Sequence, residues 1–508
     1  MDSSNQRKSG VLIHYFNMIL DIGIAVFFTP FLIRSLGDAE YGLYRIVQSF
    51  AGQLGIMSFG VATLVARNVV QYNTLKQTKE KENFLALALS ITGILSIAVL
   101  IVGFFLSLSI DGLFTETLSR DELLLAHKLY WVLIIRIVVT ILTDFVNGII
   151  SSHEKFAIIQ GLTSLRYILR IIVLVILIKA KFGSIAIVTT DLVLALLTLT
   201  VSGYVAFVKL REVPHYYYLD INELKSSLLF SLAIFLQAII NQVNQNLDSV
   251  ILGALTTTSI VTMYSLALNL FTSFNSISSV IGSVFVPQAT RMLVEKADGE
   301  KLTDLVIKPG RLQLMAGTLV ITGFTLFGKE FLYFWVGPSY NGAYAVSLIL
   351  MIPALIPVIQ NVTNAILDAM LKRLGKSLIL TVMAILNVLI SIILVKQIGY
   401  IGAAIGTALS YIIGNGILMN IYLSRVTDLN LKRMYCELIS NIVFVAIICM
   451  FVFYPISKIM LYRNILIMLA KIILYSVLFS ICMYKFCMRS YEKELLLRPI
   501  RKVIRRKE

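Results

Sequence analysis

The sequence predicts an all-α integral membrane protein of about fourteen transmembrane helices, built as two pseudo-symmetric six-helix lobes followed by two C-terminal helices. Three observations carry that reading. Hydrophobic residues fill 58% of the 508 positions and charged residues only 14%, well under the roughly 25% of a chain whose surface meets water. Fourteen apolar runs approach the ~20 residues that a helix needs to cross the hydrocarbon core. The basic residues are shared unequally between the loops of the two sides. Barrel strands would be shorter and would alternate in polarity, so helices are the spanning elements.

The first six runs are 11–33, 43–65, 84–110, 129–150, 157–178 and 183–207. The first is too long for a signal-peptide core and is read as a span. A polar linker follows, with Pro214 and the run Tyr216-Tyr217-Tyr218. The next six are 227–254, 259–286, 312–335, 343–370, 378–395 and 401–423, and two more, 435–456 and 465–484, complete the membrane part. Five segments result: an N-terminal lobe 1–208, a linker 209–226, a C-terminal lobe 227–424, a helix pair 425–485 and a basic tail 486–508. With the N-terminus inside, thirty of the 44 Lys and Arg fall in inner segments and eight in outer ones. That bias places both termini in the cytoplasm.

The net charge of +16 is therefore an orientation signal, and no nucleic-acid partner is expected, because no groove-reading element accompanies it. The tail's Arg501-Lys502 and Arg505-Arg506-Lys507 suit anionic headgroups of membrane lipids. Cys436, Cys449, Cys482 and Cys487 form no C-x-x-C pair and no cluster with His, so no metal site is expected. No nucleotide-binding Gly-rich loop appears, and no cofactor is expected. Loops of at most about 25 residues leave no room for a catalytic domain, which argues against an enzyme such as a membrane glycosyltransferase.

Two six-span groups around a polar linker point to a transporter with internal repeats. Leu165-Arg166-Tyr167-Ile168-Leu169-Arg170-Ile171-Ile172 in the fifth run matches Leu386-Asn387-Val388-Leu389-Ile390-Ser391-Ile392-Ile393 in the eleventh. Each is followed by a short loop, a Gly and an Ala/Thr-rich stretch, Gly183 to Thr190 and Gly399 to Thr407.

Several stretches resemble the Wzx-type bacterial polysaccharide flippases, of the superfamily that also holds multidrug and toxin extruders (MATE) and the lipid II flippase. They are Thr29-Pro30-Phe31-Leu32-Ile33-Arg34-Ser35-Leu36-Gly37 with Glu40-Tyr41-Gly42-Leu43-Tyr44, then Asp248-Ser249-Val250-Ile251-Leu252-Gly253 and Val286-Pro287-Gln288. Gly328-Lys329-Glu330-Phe331-Leu332, Trp335-Val336-Gly337, Tyr340 and Gly402-Ala403-Ala404-Ile405-Gly406-Thr407 follow in the same order. The resemblance implies a MATE-like fold in the bacterial cytoplasmic membrane. It also implies translocation of an undecaprenyl-pyrophosphate-linked oligosaccharide by alternating access, for O-antigen, capsule or exopolysaccharide. The drive, H+, Na+ or membrane potential, stays open, as does contact with polysaccharide polymerase machinery. The alternative is a cation-coupled drug antiporter.

A charge within a span is costly unless it faces a cavity or a partner. The first six runs hold Arg45, Arg136, Arg166 and Arg170 against Asp21, Asp144 and Asp191, so not every Arg can be paired. Arg166 and Arg170, four residues apart and deep in their run, share one helix face. Such guanidinium groups hold phosphate oxygens bidentately and keep their proton. Arg136 and Arg45, nearer the outer side, extend the series. In the seventh run Gln237, Asn241, Asn244 or Gln245, and Asp248 recur at helical spacing and suit sugar hydroxyls. Asp21, Asp144, Asp191, Asp248 and Asp368 are expected to be structural or ion-coupling acids. Lys329 and Glu330 are read as snorkelling near a span end.

Overall fold

The computed structural model describes residues 3–58, 60–218, 247–283, 288, 291–292, 298–370, 372–439, 441–459 and 464–494, and these contain helices and no strand. Among them twelve helices are long and apolar enough to cross a membrane. They correspond to the first six and last six predicted runs. The seventh run lies outside the described residues as far as 246, with 247–255 helical, and the eighth is the helix Thr258–Ser283.

The chain divides into two compact units, Met1–Ser265 and Leu266–Glu508. In the first, α1 (Ser3–Gly23), α2 (Thr29–Leu36), α3 (Asp38–Gly52), α4 (Val61–Leu75), α5 (Thr78–Phe114), α6 (Arg120–Ser152), α7 (Phe156–Lys179) and α8 (Ile185–Gly203) follow in order. The central element is α6, which packs on α3, α4, α5 and α8, while α1 lies along α7. A capping box starts α6: the Ser119 backbone N–H donates to Glu122 Oε2 at 2.9 Å, and the Glu122 N–H donates back to Ser119 Oγ. Midway, Tyr130 is buried and donates to the Gly103 carbonyl of α5 at 2.9 Å, so its hydroxyl is satisfied inside the apolar layer.

The second unit contains most of α9 (Thr258–Ser283), then α10 (Gly299–Trp335), α11 (Gly342–Ile359), α12 (Asn361–Ala369), α13 (Arg373–Ile398), α14 (Tyr400–Tyr411), α15 (Met419–Val426), α16 (Leu431–Ile439), α17 (Ile442–Ser457) and α18 (Ile465–Cys482). Here α10 is central, against α11, α16, α17 and α18. Its buried Phe327 stacks edge-on to Phe453 and Tyr475 of the C-terminal pair. Single wider turns with i→i+5 bonding interrupt the spanning helices at Ile24–Phe28 and Ile412–Leu418, a feature that often marks functional positions.

The two loops matched in the sequence share one backbone feature. Gly183 and Gly399, each opening the stretch after the matched helix, have φ of +65° and +66°. Glycine takes a positive φ at less cost than any other residue and so suits both turns, although Lys181 in the first loop adopts +63° as well.

Candidate functional site

Within the first unit, α3 and α6 face each other across a cavity of about 350 Å³. The lining follows helical spacing. On α3 it runs Arg45, Gln48, Ser49, Gly52, and on α6 it runs Leu133, Arg136, Thr140, Asp144. Arg45 donates from Nη1 to Gln48 Oε1 at 3.2 Å, and its buried Nε has no hydrogen-bond partner. Among the described residues neither Arg45 nor Arg136 is ion-paired, and Asp144 is the one carboxylate on the wall. The cavity therefore presents two guanidinium groups with unspent donors.

Arg170 is placed differently. Its Nε donates to Asp191 Oδ1 at 2.6 Å and its Nη2 to Asp191 Oδ2 at 3.2 Å, a two-pronged ion pair joining α7 to α8. That carboxylate neutralises Arg170, so the pair expected to act together is split. Arg166, one turn earlier, is half-buried, with Arg136, Asp191 and Arg170 as the charged groups acting on it. Asp21 of α1 faces Tyr167 and Arg170.

In the second unit, Asn387 and Ser391 occupy the matched positions on α13, and each meets α14, Ser391 through the Ala403 carbonyl at 3.4 Å. Thr407 Oγ1 donates to Asn387 Oδ1 at 3.2 Å, and Ser391 Oγ reaches the same oxygen at 3.0 Å. Each unit thus ties two neighbouring helices through one polar clasp, ionic in the first and neutral in the second.

Asp248, buried, accepts from the Tyr264 hydroxyl at 2.6 Å. Gln237, Asn241, Asn244 and Gln245 lie outside the described residues, and Asp368 falls in α12 with its side chain likewise outside them. Glu330 does not snorkel: it is 2% exposed and accepts from Lys471 Nζ of α18 at 2.6 Å, while Lys329 stands over the Tyr344 ring. Sequence reasoning passed over Lys471, although a lysine midway along an apolar run signals a buried acid on a neighbouring helix. It also passed over Arg311, which bonds Glu492 at 2.7 Å and the carbonyls of Glu437 and Cys487. These contacts fasten the C-terminal helix pair to both ends of α10.

A comparison with curated proteins gives no match. Among solved structures, the lipid II flippase MurJ in an inward closed conformation aligns over 94% of this chain and 98% of its own, with TM-score 0.75 and 19% identity. An inward-facing multidrug resistance transporter of the MATE family and MOP superfamily aligns over 81% and 95%, with TM-score 0.64 and 17% identity. A MATE protein in a bent conformation covers 83% and 94%, with TM-score 0.52 and 15% identity. At these identities the likeness establishes the fold. A family model described as polysaccharide biosynthesis protein matches residues 8–293, more than half of the sequence. By that match the chain belongs to the polysaccharide biosynthesis protein family, and the twelve apolar helices among its described residues make it a multi-pass membrane protein with a MurJ-like fold.

Proposed function

We propose that the chain is a flippase that carries a pyrophosphate-linked lipid oligosaccharide from the cytoplasmic to the outer leaflet for surface polysaccharide assembly, by alternating access and with both termini cytoplasmic. The observation that carries this reading is the cavity between α3 and α6, where Arg45 and Arg136 hold unspent guanidinium donors beside a single carboxylate. A pyrophosphate crossing a low-dielectric layer needs its charge matched at short range, because Coulomb energies grow steeply as water is removed. Two planar forks supply that match without a proton to lose. Arg166 extends the positive field from α7, and Arg170, clamped by Asp191, positions that helix. Gln48, Ser49 and Thr140 on the walls offer hydroxyl and amide partners to the first sugar.

The likeness to MATE transporters and the presence of Asp144 on the wall favour, as second reading, an antiporter of cations. Two cations against one acid make that cavity a poor host for a positively charged drug.

The test uses cells lacking the gene, complemented by variants. Arg45→Ala and Arg136→Ala should each lower surface polysaccharide about tenfold or more, the worth of one lost charge-assisted bond pair. Lys at either place should recover part of the loss, since it keeps charge without the fork. Protein amounts in the membrane should stay unchanged. Wild-type polysaccharide from both Ala variants would contradict the proposal.

A further inference from the structure

In the second unit, two departures from regular helix meet at one pair of side-chain amides. The tenth predicted run contains Pro353 and Pro357 inside α11, and that helix stops at Ile359. Each proline removes a backbone donor and so weakens the ladder one turn before it. The twelfth run contains the wider turn Ile412–Leu418, with Gly414-Asn415-Gly416 at its centre. At Gly414 a Cβ would overlap Met383 of α13, so the neighbouring helix is pressed directly against this turn. The thirteenth run begins with α16, which carries Tyr435.

Gln360 sits at the break after α11, fully buried. Its Nε2 donates to the Asn415 carbonyl at 2.9 Å, and Asn415 Nδ2 donates back to Gln360 Oε1 at 3.0 Å. Tyr435 Oη lies 3.1 Å from Gln360 Nε2 and donates to Asn420 Oδ1 at 3.0 Å. Asn420 Nδ2 in turn covers the Gly416 carbonyl at 2.8 Å. Two carbonyls of the wide turn therefore take side-chain donors. The network is incomplete: buried Asn415 Oδ1 and buried Thr363 Oγ1, one turn after Gln360, have no partner among the described residues.

We infer that the reciprocal Gln360–Asn415 amide pair is an exchangeable pivot at which the tenth and twelfth spans bend together during the transport cycle. A regular helix cannot bend sharply without breaking backbone bonds, whereas here the bonds are already broken by proline or widened by the i→i+5 turn. Side-chain amides hold the two breaks in register, and an amide can trade one carbonyl partner for another by rotating. Unsatisfied Asn415 Oδ1 and Thr363 Oγ1 leave this arrangement short of full pairing, so a second arrangement that pairs them lies close in energy. A network meant only as glue would be expected to close on itself. This pivot rests on the transporter reading of the chain but not on what is carried.

The experiment compares Gln360→Met, Asn415→Leu and their combination in full-length protein. Each single change leaves a buried amide unpaired and should lower the melting temperature. The double change removes the side-chain amide bond from both ends but still leaves the Asn415 carbonyl without the Gln360 donor, so the melting temperature should rise above that of Gln360→Met and return only part of the way to wild type. Hydrogen exchange of the backbone across residues 405–420, measured in lipid nanodiscs without any substrate, then reads the pivot itself. Exchange there should slow at least tenfold in the double variant, and surface polysaccharide in complemented cells should fall by a similar factor. A double variant that recovers stability, exchange and polysaccharide together would overturn the pivot and leave the pair as packing. Slowed exchange with normal polysaccharide would also overturn it, since bending would then be dispensable to transport. Because exchange is read without substrate, failure of the pivot is separate from failure of the flippase reading.

Discussion

Asp191 is worth most through Arg170. With the carboxylate 5% exposed and the guanidinium four-fifths covered, removing one partner leaves a charge stranded in a layer that cannot hydrate it, which costs about 3–5 kcal/mol for a buried pair. Replacing both partners by apolar residues of similar volume is close to neutral. Asp191→Asn should therefore lower folded protein in the membrane severalfold, and adding Arg170→Met to Asp191→Leu should restore it, as read by fluorescence-detected size exclusion. Equal abundance of Asp191→Asn and wild type would show that the clasp carries no stability. The excess of Arg over Asp in the first six runs was legible in the sequence, and Arg45 and Arg136 have no ion pair among the described residues. Which Arg were left over was not legible. Depth along a run is visible in one dimension, but the partner of Arg170 comes from the next helix, 21 positions on. Glu40 teaches the same lesson. Read within a family stretch, it proves to accept from the Ser184 N–H where α8 begins.

At the scale of elements, the stretch after α8 is bound chain and not a loose tether. Glu212 is 4% exposed and holds Lys81 Nζ at 2.8 Å and His153 Nε2 at 2.8 Å, joining the start of α5 to the end of α6. The Tyr217 and Tyr218 backbone N–H groups both donate to Asn83 Oδ1, at 2.9 and 3.0 Å, and His215 N–H donates to the Glu82 carbonyl. Burial opposes ionisation of Glu212, yet the hydrogen bonds and charges of His153 and Lys81 hold its carboxyl below the ordinary value of 4.5. A depressed carboxyl stabilises the fold above its unfolded value, and that contribution disappears as pH falls through the lower, folded one. Amide protection at His215, Tyr217 and Tyr218, relative to an unstructured peptide, should thus hold from neutral pH down to about 4.5 and fall away progressively as pH drops further through the lower, folded value. Glu212→Gln should lose it already at neutral pH, by roughly ten- to hundredfold. Protection unchanged in that variant would show that the backbone alone holds the strap. Sequence marked this stretch only as a polar linker with three tyrosines, because nothing local reveals that its one buried acid meets a Lys and a His from two other helices. Twelve of the runs were legible as spanning helices among the described residues, since apolar length is imposed locally by lipid.

For the whole molecule, the composition alone dictated a membrane solvent, and the unequal sharing of Lys and Arg between loops is what supports the proposed orientation. On the proposed function, that orientation gives the cavity a direction of work: an anion taken up where the basic loops are and released where they are not. Binding alone does not move a charge between leaflets; the site must be offered to each side in turn, and only a ligand that binds the two states differently can shift them. The account therefore stands on Arg45 and Arg136 acting on the lipid-linked pyrophosphate itself. The direct measurement is the leaflet distribution of lipid-linked oligosaccharide in cells whose only copy is Arg45→Ala with Arg136→Ala, at wild-type protein levels. Accumulation on the cytoplasmic leaflet, with the outer pool down at least tenfold, is the expected result. An outer pool equal to that of the wild type would contradict it.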